Sequence, residues 1–315
     1  MLSSFLSIVP LFALISLGYL AKRTVLDVRL LPGLNQFVYY FAVPALMFTS
    51  TSEQAIEQLL YAPGLLAFSV GCFVTAGIGV MVSYWVFDCK RAESLIMRAL
   101  NGTFANYAYM GIPIAFALLG EAAHAATIGI ILAGNLLLVC GAQVLVEIAR
   151  NQGSSWWHIL QILDRSLLRN PLFMSIILGL LVAALNIPVP QVVDTTLNML
   201  APAAVPVALF CLGASLDINR SAMRYGEMAW VIVVKLLLHP ALVWGAFIVL
   251  GVDNVHWLQA TVLLCALPTG ALAHMLAMRY GVFEKESSQI VVISTILSLG
   301  TILLWSELLS LSTGH

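Results

Sequence analysis

Apolar residues run along this chain in long unbroken stretches rather than in alternation. Each stretch of about 20 is bounded by charges or turn residues, which is the pattern of helices that cross a bilayer. Ten runs predict helices over residues 2–21, 32–52, 62–86, 94–119, 123–147, 167–186, 195–217, 226–251, 257–280 and 286–311. An outer-membrane barrel would show short segments of period two, and none is evident. The expected fold class is an all-α polytopic membrane protein with short connections and little room for a soluble domain.

Composition agrees. Of 315 residues, 61% are hydrophobic and 9% charged. A soluble domain carries roughly 25% charged residues, so too few polar side chains are present here to cover a water-soluble globule. The net charge of −1 gives no bias toward nucleic acid. Cys72, Cys89, Cys140, Cys211 and Cys265 are scattered, without the paired spacing of a disulfide framework or a zinc site. No cofactor is called for.

The placement of basic residues orients the helices. The first run has no basic residue before it and is followed by Lys22 and Arg23, the reverse of a secretory signal peptide. Alternate connections hold Lys22, Arg23 and Arg29; Lys90, Arg91 and Arg98; Arg150, Arg165 and Arg169; Arg220 and Arg224; and Arg279 and Lys285. The other connections hold no Lys or Arg. Of 14 basic residues, all but Lys235 therefore fall on one face, which the positive-inside rule makes cytoplasmic. The protein is expected in the cytoplasmic membrane with both termini outside.

The chain also resembles itself. Pro10-Leu-Phe-Ala-Leu-Ile-Ser-Leu-Gly-Tyr-Leu20 in helix one and Pro171-Leu-Phe-Met-Ser-Ile-Ile-Leu-Gly-Leu-Leu181 in helix six share seven of eleven positions. Leu34-Asn35 and Val43-Pro44 in helix two are echoed by Leu197-Asn198 and Val205-Pro206 in helix seven. Five helices per half is an odd number, so the second half enters from the opposite side. The expectation is two inverted five-helix repeats, 1–149 and 167–315, joined by a cytoplasmic interfacial linker, 150–166, with Trp156, Trp157, Ile159 and Leu160 as its anchoring face. Secondary transporters are commonly built this way.

Helix four contains Asn101-Gly-Thr-Phe-Ala-Asn-Tyr-Ala-Tyr-Met-Gly-Ile-Pro113 and helix nine Ala266-Leu-Pro-Thr-Gly-Ala-Leu-Ala-His274. Proline removes an amide donor and clashes with the preceding turn. Matched Gly/Pro interruptions in the two halves point to a binding site. The half-helix ends, with free amides near Gly111 and Thr269, would attract an anion. A simple kink is the plainer alternative.

Several polar residues lie within the runs. Lys235 is roughly 13 Å deep at 1.5 Å per residue, where an ionisable group is a functional candidate and snorkelling the bland alternative. His239, one turn on, reads as a hydrogen-bonded packing residue. His274 is balanced between packing and function. Asn135 and Gln143 share a face of helix five and read equally well as glue between helices, as do Asn35 and Asn198. No carboxylate is placed near mid-membrane, which argues against an acid-lined cation pore. The motifs His-Glu-x-x-His and Gly-x-Ser-x-Gly are absent, so the chain reads as a non-enzyme.

Phe41-Ala-Val-Pro44, Asn106-x-x-x-Met110-Gly-Ile-Pro113, Leu212-Gly213, Lys235…Pro240 and Ala266-Leu-Pro-x-Gly270 together resemble the auxin efflux carrier family over nearly the whole chain. The long cytoplasmic loop of plant members is missing, and helix three, without a charge, lacks their acidic support site. The resemblance implies a homodimeric secondary carrier of small organic anions, malonate-like or auxin-like carboxylates. It implies a scaffold of helices one, two, six and seven, and a transport domain of helices three to five and eight to ten. Helices four and nine would cross at the substrate, and the motion would be elevator-like. The candidate substrate site is then Asn106, Tyr107, Gly111 and Pro113, with Asn135, Lys235, Pro268, Thr269, Gly270 and His274. Two other readings remain: a sodium-coupled symporter of the bile-acid-transporter type, with Asn106, Thr269 and break carbonyls as sodium ligands, and a membrane anion sensor that moves nothing.

The orientation is open to test. In a background without native cysteines, a cysteine at Ser154 should resist an impermeant thiol reagent in intact cells, and one at Gly314 should react. The reverse result would overturn the topology.

Overall fold

The computed structural model describes residues 2–52, 56–150, 160–161, 164, 169, 171–215 and 225–313. Most of the 150–166 linker, with Trp156, Trp157 and Ile159, lies outside the described residues, as do Arg165, Arg220 and Arg224. The described residues form helices and no named strand. Five stretches among them are long and apolar enough to cross a membrane: Glu57–Trp85, Glu121–Arg150, Gln191–Ser215, Tyr225–Val249 and Glu284–Leu311. Pro171–Ala184 and Val255–Cys265 are shorter apolar helices.

In chain order the helices are α1 (Leu2–Thr24), α2 (Leu31–Phe37), α3 (Val43–Ser52), α4 (Ala62–Trp85), α5 (Ala92–Thr103), α6 (Ile112–Leu119), α7 (His124–Gly134) and α8 (Gly141–Arg150). They continue with α9 (Pro171–Ala184), α10 (Gln191–Leu200), α11 (Ala204–Ser215), α12 (Tyr225–Val233), α13 (His239–Val249), α14 (Val255–Cys265), α15 (Ala271–Tyr280) and α16 (Glu284–Thr313).

Prolines shape several of these. π-turns at Val38–Ala42, Tyr107–Gly111 and Val234–Leu238 each end two residues before a proline: Pro44, Pro113 and Pro240. Proline cannot donate to the carbonyl four residues back and its ring crowds it. Widening one turn relieves the crowding without ending the helix. Another π-turn, Asn135–Cys140, has a different cause. The Asn135 side chain donates to Ile131 O at 2.8 Å and competes with the backbone ladder.

The helices gather into two compact units, each drawn from both halves of the chain. Unit one comprises Met1–Tyr61, Ala108–Gly129 and Arg165–Leu216, and unit two Ala62–Tyr107, Ile130–Asp164 and Asp217–His315.

Within unit one, α1 lies along α11 and α9 along α3. The first contact depends on absent side chains: a Cβ on Gly213 would overlap the backbone of Ile15, and one on Gly18 the backbone of Phe210. Such close approach is what small residues allow between helices in lipid, where apolar burial does not drive association. Gly179 of α9, the repeat counterpart of Gly18, lies against Thr51 and Phe48 in the same manner.

Within unit two, α4 packs on α13 and α5, α14 packs on α13, and α16 packs against α12, α14 and α15. Arg98 and Glu227 change the charge tally made from sequence. Arg98 sits inside α5 and is 6% exposed, while Glu227, in the first turn of α12, is 1% exposed. They form an ion pair. Arg98 also donates to Ser94 O at 2.9 Å and lies 4.3 Å from the Phe283 ring centroid. A buried charge needs this degree of satisfaction.

The close approach in unit one generates a stability test. Gly213→Val should destabilise the protein by about 1–3 kcal/mol, since overpacking shifts the backbone. Gly33, with nothing near it, should tolerate alanine without loss. Thermal unfolding midpoints in detergent compare the two.

Candidate functional site

The fourth and ninth apolar runs both leave the helix, and both interruptions lie in unit two. α5 ends at Thr103, and Phe104 is extended at φ −77°, ψ 117°. α14 ends at Cys265, and Gly270, extended at φ −72°, ψ 139°, precedes α15. The two extended pieces pair antiparallel around Ala105 and Thr269. Asn106 N donates to Pro268 O at 2.9 Å, and Gly270 N donates to Phe104 O at 3.1 Å. Only glycine fits at 270, because a Cβ there would press on the Phe104 ring and Ala105 O.

The amides of this pairing are therefore used, which corrects the expectation of a free amide near Thr269. Its N–H donates to Ser294 Oγ at 3.2 Å and its hydroxyl to Asn101 O at 2.7 Å. Asn101 Oδ1 in turn accepts from Ser287 Oγ at 2.8 Å. The Ser294 hydroxyl on α16 satisfies a backbone amide that lipid could not, and that of Ser287 holds the Asn101 side chain. Two polar atoms of the break have no hydrogen-bond partner among the described residues: Asn106 Nδ2 and the Tyr107 hydroxyl. Both side chains are buried. The Tyr107 ring meets Phe104 edge-on at 5.4 Å.

Lys235 is fully buried in the π-turn before α13, so its ammonium does not snorkel to the surface. Nζ donates to Cys265 O at 2.5 Å. Cys265 is the last residue of α14, where carbonyls lose their helical partners and the dipole is negative. Lys235 thus caps the half-helix that leads into the Pro268 break. The carbonyl that Pro240 leaves without a donor, Leu236 O, accepts from Trp305 Nε1 at 2.9 Å.

The other candidates are dispersed. Asn135 spends its amide on its own helix. His274 is half-buried and interacts with Glu284. Gly111 and Pro113 belong to unit one. Asn35 and Asn198 are exposed. Gln143 Oε1 accepts from Arg279 Nη1 at 3.3 Å. Sequence reasoning passed over Arg98–Glu227 because each lies near a helix end, and it missed Ser287 and Ser294 because serine is common in membrane helices. Among the described residues no three His, Cys, Asp or Glu side chains gather as a metal site.

Comparisons with known proteins bear on the whole chain. The family described as "Membrane transport protein" matches residues 3–306. A "Putative malonate transporter" of Rhizobium meliloti (strain 1021) is 30% identical over 297 residues, 94% of this chain and 92% of that protein. "Uncharacterized transporter YfdV" of Escherichia coli (strain K12) is 22% identical over 309 residues, 95% of each chain. "Auxin efflux carrier component 6" of Arabidopsis thaliana is 28% identical over 159 residues, 49% of this chain and 28% of that one.

The paired breaks make a prediction of their own. Thr269→Val keeps the shape, removes the hydroxyl and leaves Asn101 O without its donor. It should cost about 1–3 kcal/mol of stability, read as a lower unfolding midpoint than that of wild type.

Proposed function

Because the chain belongs to the membrane transport protein family, that of the auxin efflux carriers, and is a multi-pass membrane transporter, we propose that it is a secondary carrier of small organic anions. The observation that carries this reading is the pairing of the two interrupted helices in unit two, with the Asn106 amide unspent beside it. Lys235 supports the sign of the substrate. By neutralising the carbonyl end of α14, it leaves the break with the positive character of the N-terminus of α15, which favours an anion. The name of the Rhizobium relative supports a short dicarboxylate such as malonate. The proposed substrate contacts are Asn106 and Tyr107, positioned by Pro268, Thr269 and Gly270, with Lys235 acting through Cys265.

The mechanism we favour is an elevator-type alternating access in a homodimer, with two inverted five-helix repeats and both termini outside the cytoplasmic membrane. The division of the helices into two units, each taking segments from both halves, supports a moving body and a static one. The matched close approaches of Gly18 and Gly179 support the repeat.

Counterflow of labelled malonate in proteoliposomes tests the reading. Exchange is expected in the wild type. Asn106→Ala should weaken malonate binding by about ten- to a hundredfold, the cost of a hydrogen bond to a charged group. Lys235→Ala should impair transport strongly, Lys235→Arg should retain part of it, and Lys235→Gln should resemble Ala if charge is what matters. Absence of exchange across short carboxylates by folded protein would overturn the carrier reading. Wild-type transport by Lys235→Gln would remove the charge from the mechanism.

A further inference from the structure

His239 is wholly buried in unit two, one helical turn beyond Lys235. Its Nδ1 lies 3.2 Å from Thr75 Oγ1. A hydroxyl has one proton to donate, and that of Thr75 goes to Gly71 O at 2.7 Å. Thr75 is therefore the acceptor of the imidazole bond and Nδ1 the donor. The tautomer follows: Nδ1 carries the hydrogen and Nε2 the lone pair. Nε2 is buried without a hydrogen-bond partner among the described residues. Buried acceptors are normally paired with protein or water, so a bare imidazole lone pair in this interior calls for a role.

A narrow cavity borders the same threonine. Thr75, Ser83, Arg98, Gly102, Trp230 and Val234 line it, so it runs between Thr75, the partner of His239 Nδ1, and Arg98. Its free volume of about 10 Å³ is close to the least that holds one water. Ser83 Oγ and Trp230 Nε1 are buried there without partners among the described residues. Both call for water, which would lie beyond Thr75, on the Nδ1 side of the imidazole.

The charged surroundings decide when a proton can stay. α13 packs on α4 and α14, and its Trp244 meets Trp305 of α16 edge-on at 6.1 Å. Cys72 and Cys265 are the buried ionisable groups of those helices, with Tyr84 and His256 toward their far ends, and Lys235 precedes His239 on its own helix. None of these is a carboxylate; the acids of α16 are Glu284 and Glu286 in its first turn and Glu307, two residues past Trp305. A second positive charge beside Lys235 is resisted until an anion neutralises the neighbourhood. Resting on the carrier reading above, we propose that His239 Nε2 is a proton-binding site that couples this carrier to a proton gradient. A hydronium ion gives its proton to the Nε2 lone pair as the anion binds, leaving water and an imidazolium, and a water molecule takes that proton away as hydronium when the anion leaves.

The test uses malonate at a pH where it is a full dianion, in proteoliposomes clamped at zero voltage with valinomycin and equal potassium. An inward gradient of about one pH unit should drive about tenfold accumulation by the wild type, as one coupled proton requires. A trapped pH dye should report about one proton entering per malonate. His239→Asn keeps a donor near the Nδ1 position and removes Nε2, and His239→Gln replaces the imidazole with an amide that does not titrate. Either variant, once folded, should show counterflow that no longer follows the proton gradient. Gradient-driven accumulation in a folded variant equal to that of wild type would overturn the proposal. So would wild-type malonate exchange indifferent to the gradient, which leaves the carrier reading standing. No exchange of any short carboxylate would overturn the carrier reading and this inference with it. A wild-type count of no proton per malonate would overturn the proposal without recourse to either variant.

Discussion

A backbone carbonyl freed inside a bilayer must find a donor, because no water is present to supply one. Unit two is organised around that constraint. Interrupting α14 frees the Cys265 carbonyl, and Lys235 takes it. Pro240 frees the Leu236 carbonyl, and Trp305 takes that. The extended pieces after α5 and α14 satisfy each other through Asn106, Pro268, Phe104 and Gly270. Each interruption is tolerated only because another helix brings a donor or acceptor to it, so the breaks and the packing of α13 and α16 are one problem.

That economy explains which polar atoms stand out. Once the backbone of the breaks is satisfied internally, Asn106 Nδ2 and the Tyr107 hydroxyl at the pairing, and His239 Nε2 elsewhere in the unit, are left without partners among the described residues. Unit one is built on a different rule. Its helix pairs approach through glycine, with backbone against backbone at Gly18 and Gly213. Close packing of this kind sets backbone against backbone, whereas unit two places hydroxyls, amides and a lysine side chain in its interior.

The apolar runs, the positions of Pro113, Pro240 and Pro268, and the burial of Lys235 were all legible from residue order, because hydropathy and proline act locally. So was the family, through spaced motifs that the matched residues 3–306 span. Less was legible about what each proline does. Pro113 and Pro240 follow widened turns that keep the helix going, while Pro268 lies in a true interruption. The sequence is equally proline-bearing in all three, and the difference comes from whether a neighbouring segment offers extended backbone to pair with.

Partners were the part that residue order left open. Arg98 and Glu227 are 129 positions apart and each reads as a terminal charge, yet they bury one another. Thr269 reads as a ligand-facing amide, yet Ser294 and Asn101 occupy it. His239 reads as a packing residue, and only the commitment of the Thr75 hydroxyl to Gly71 O assigns its tautomer. By itself the sequence determined a helical membrane protein, its interruptions and its one deep lysine, since burial in lipid is governed by each segment's own composition. Tertiary structure decided which donor meets which acceptor, because a hydrogen bond depends on ångström-scale distance between segments that the order of residues does not set.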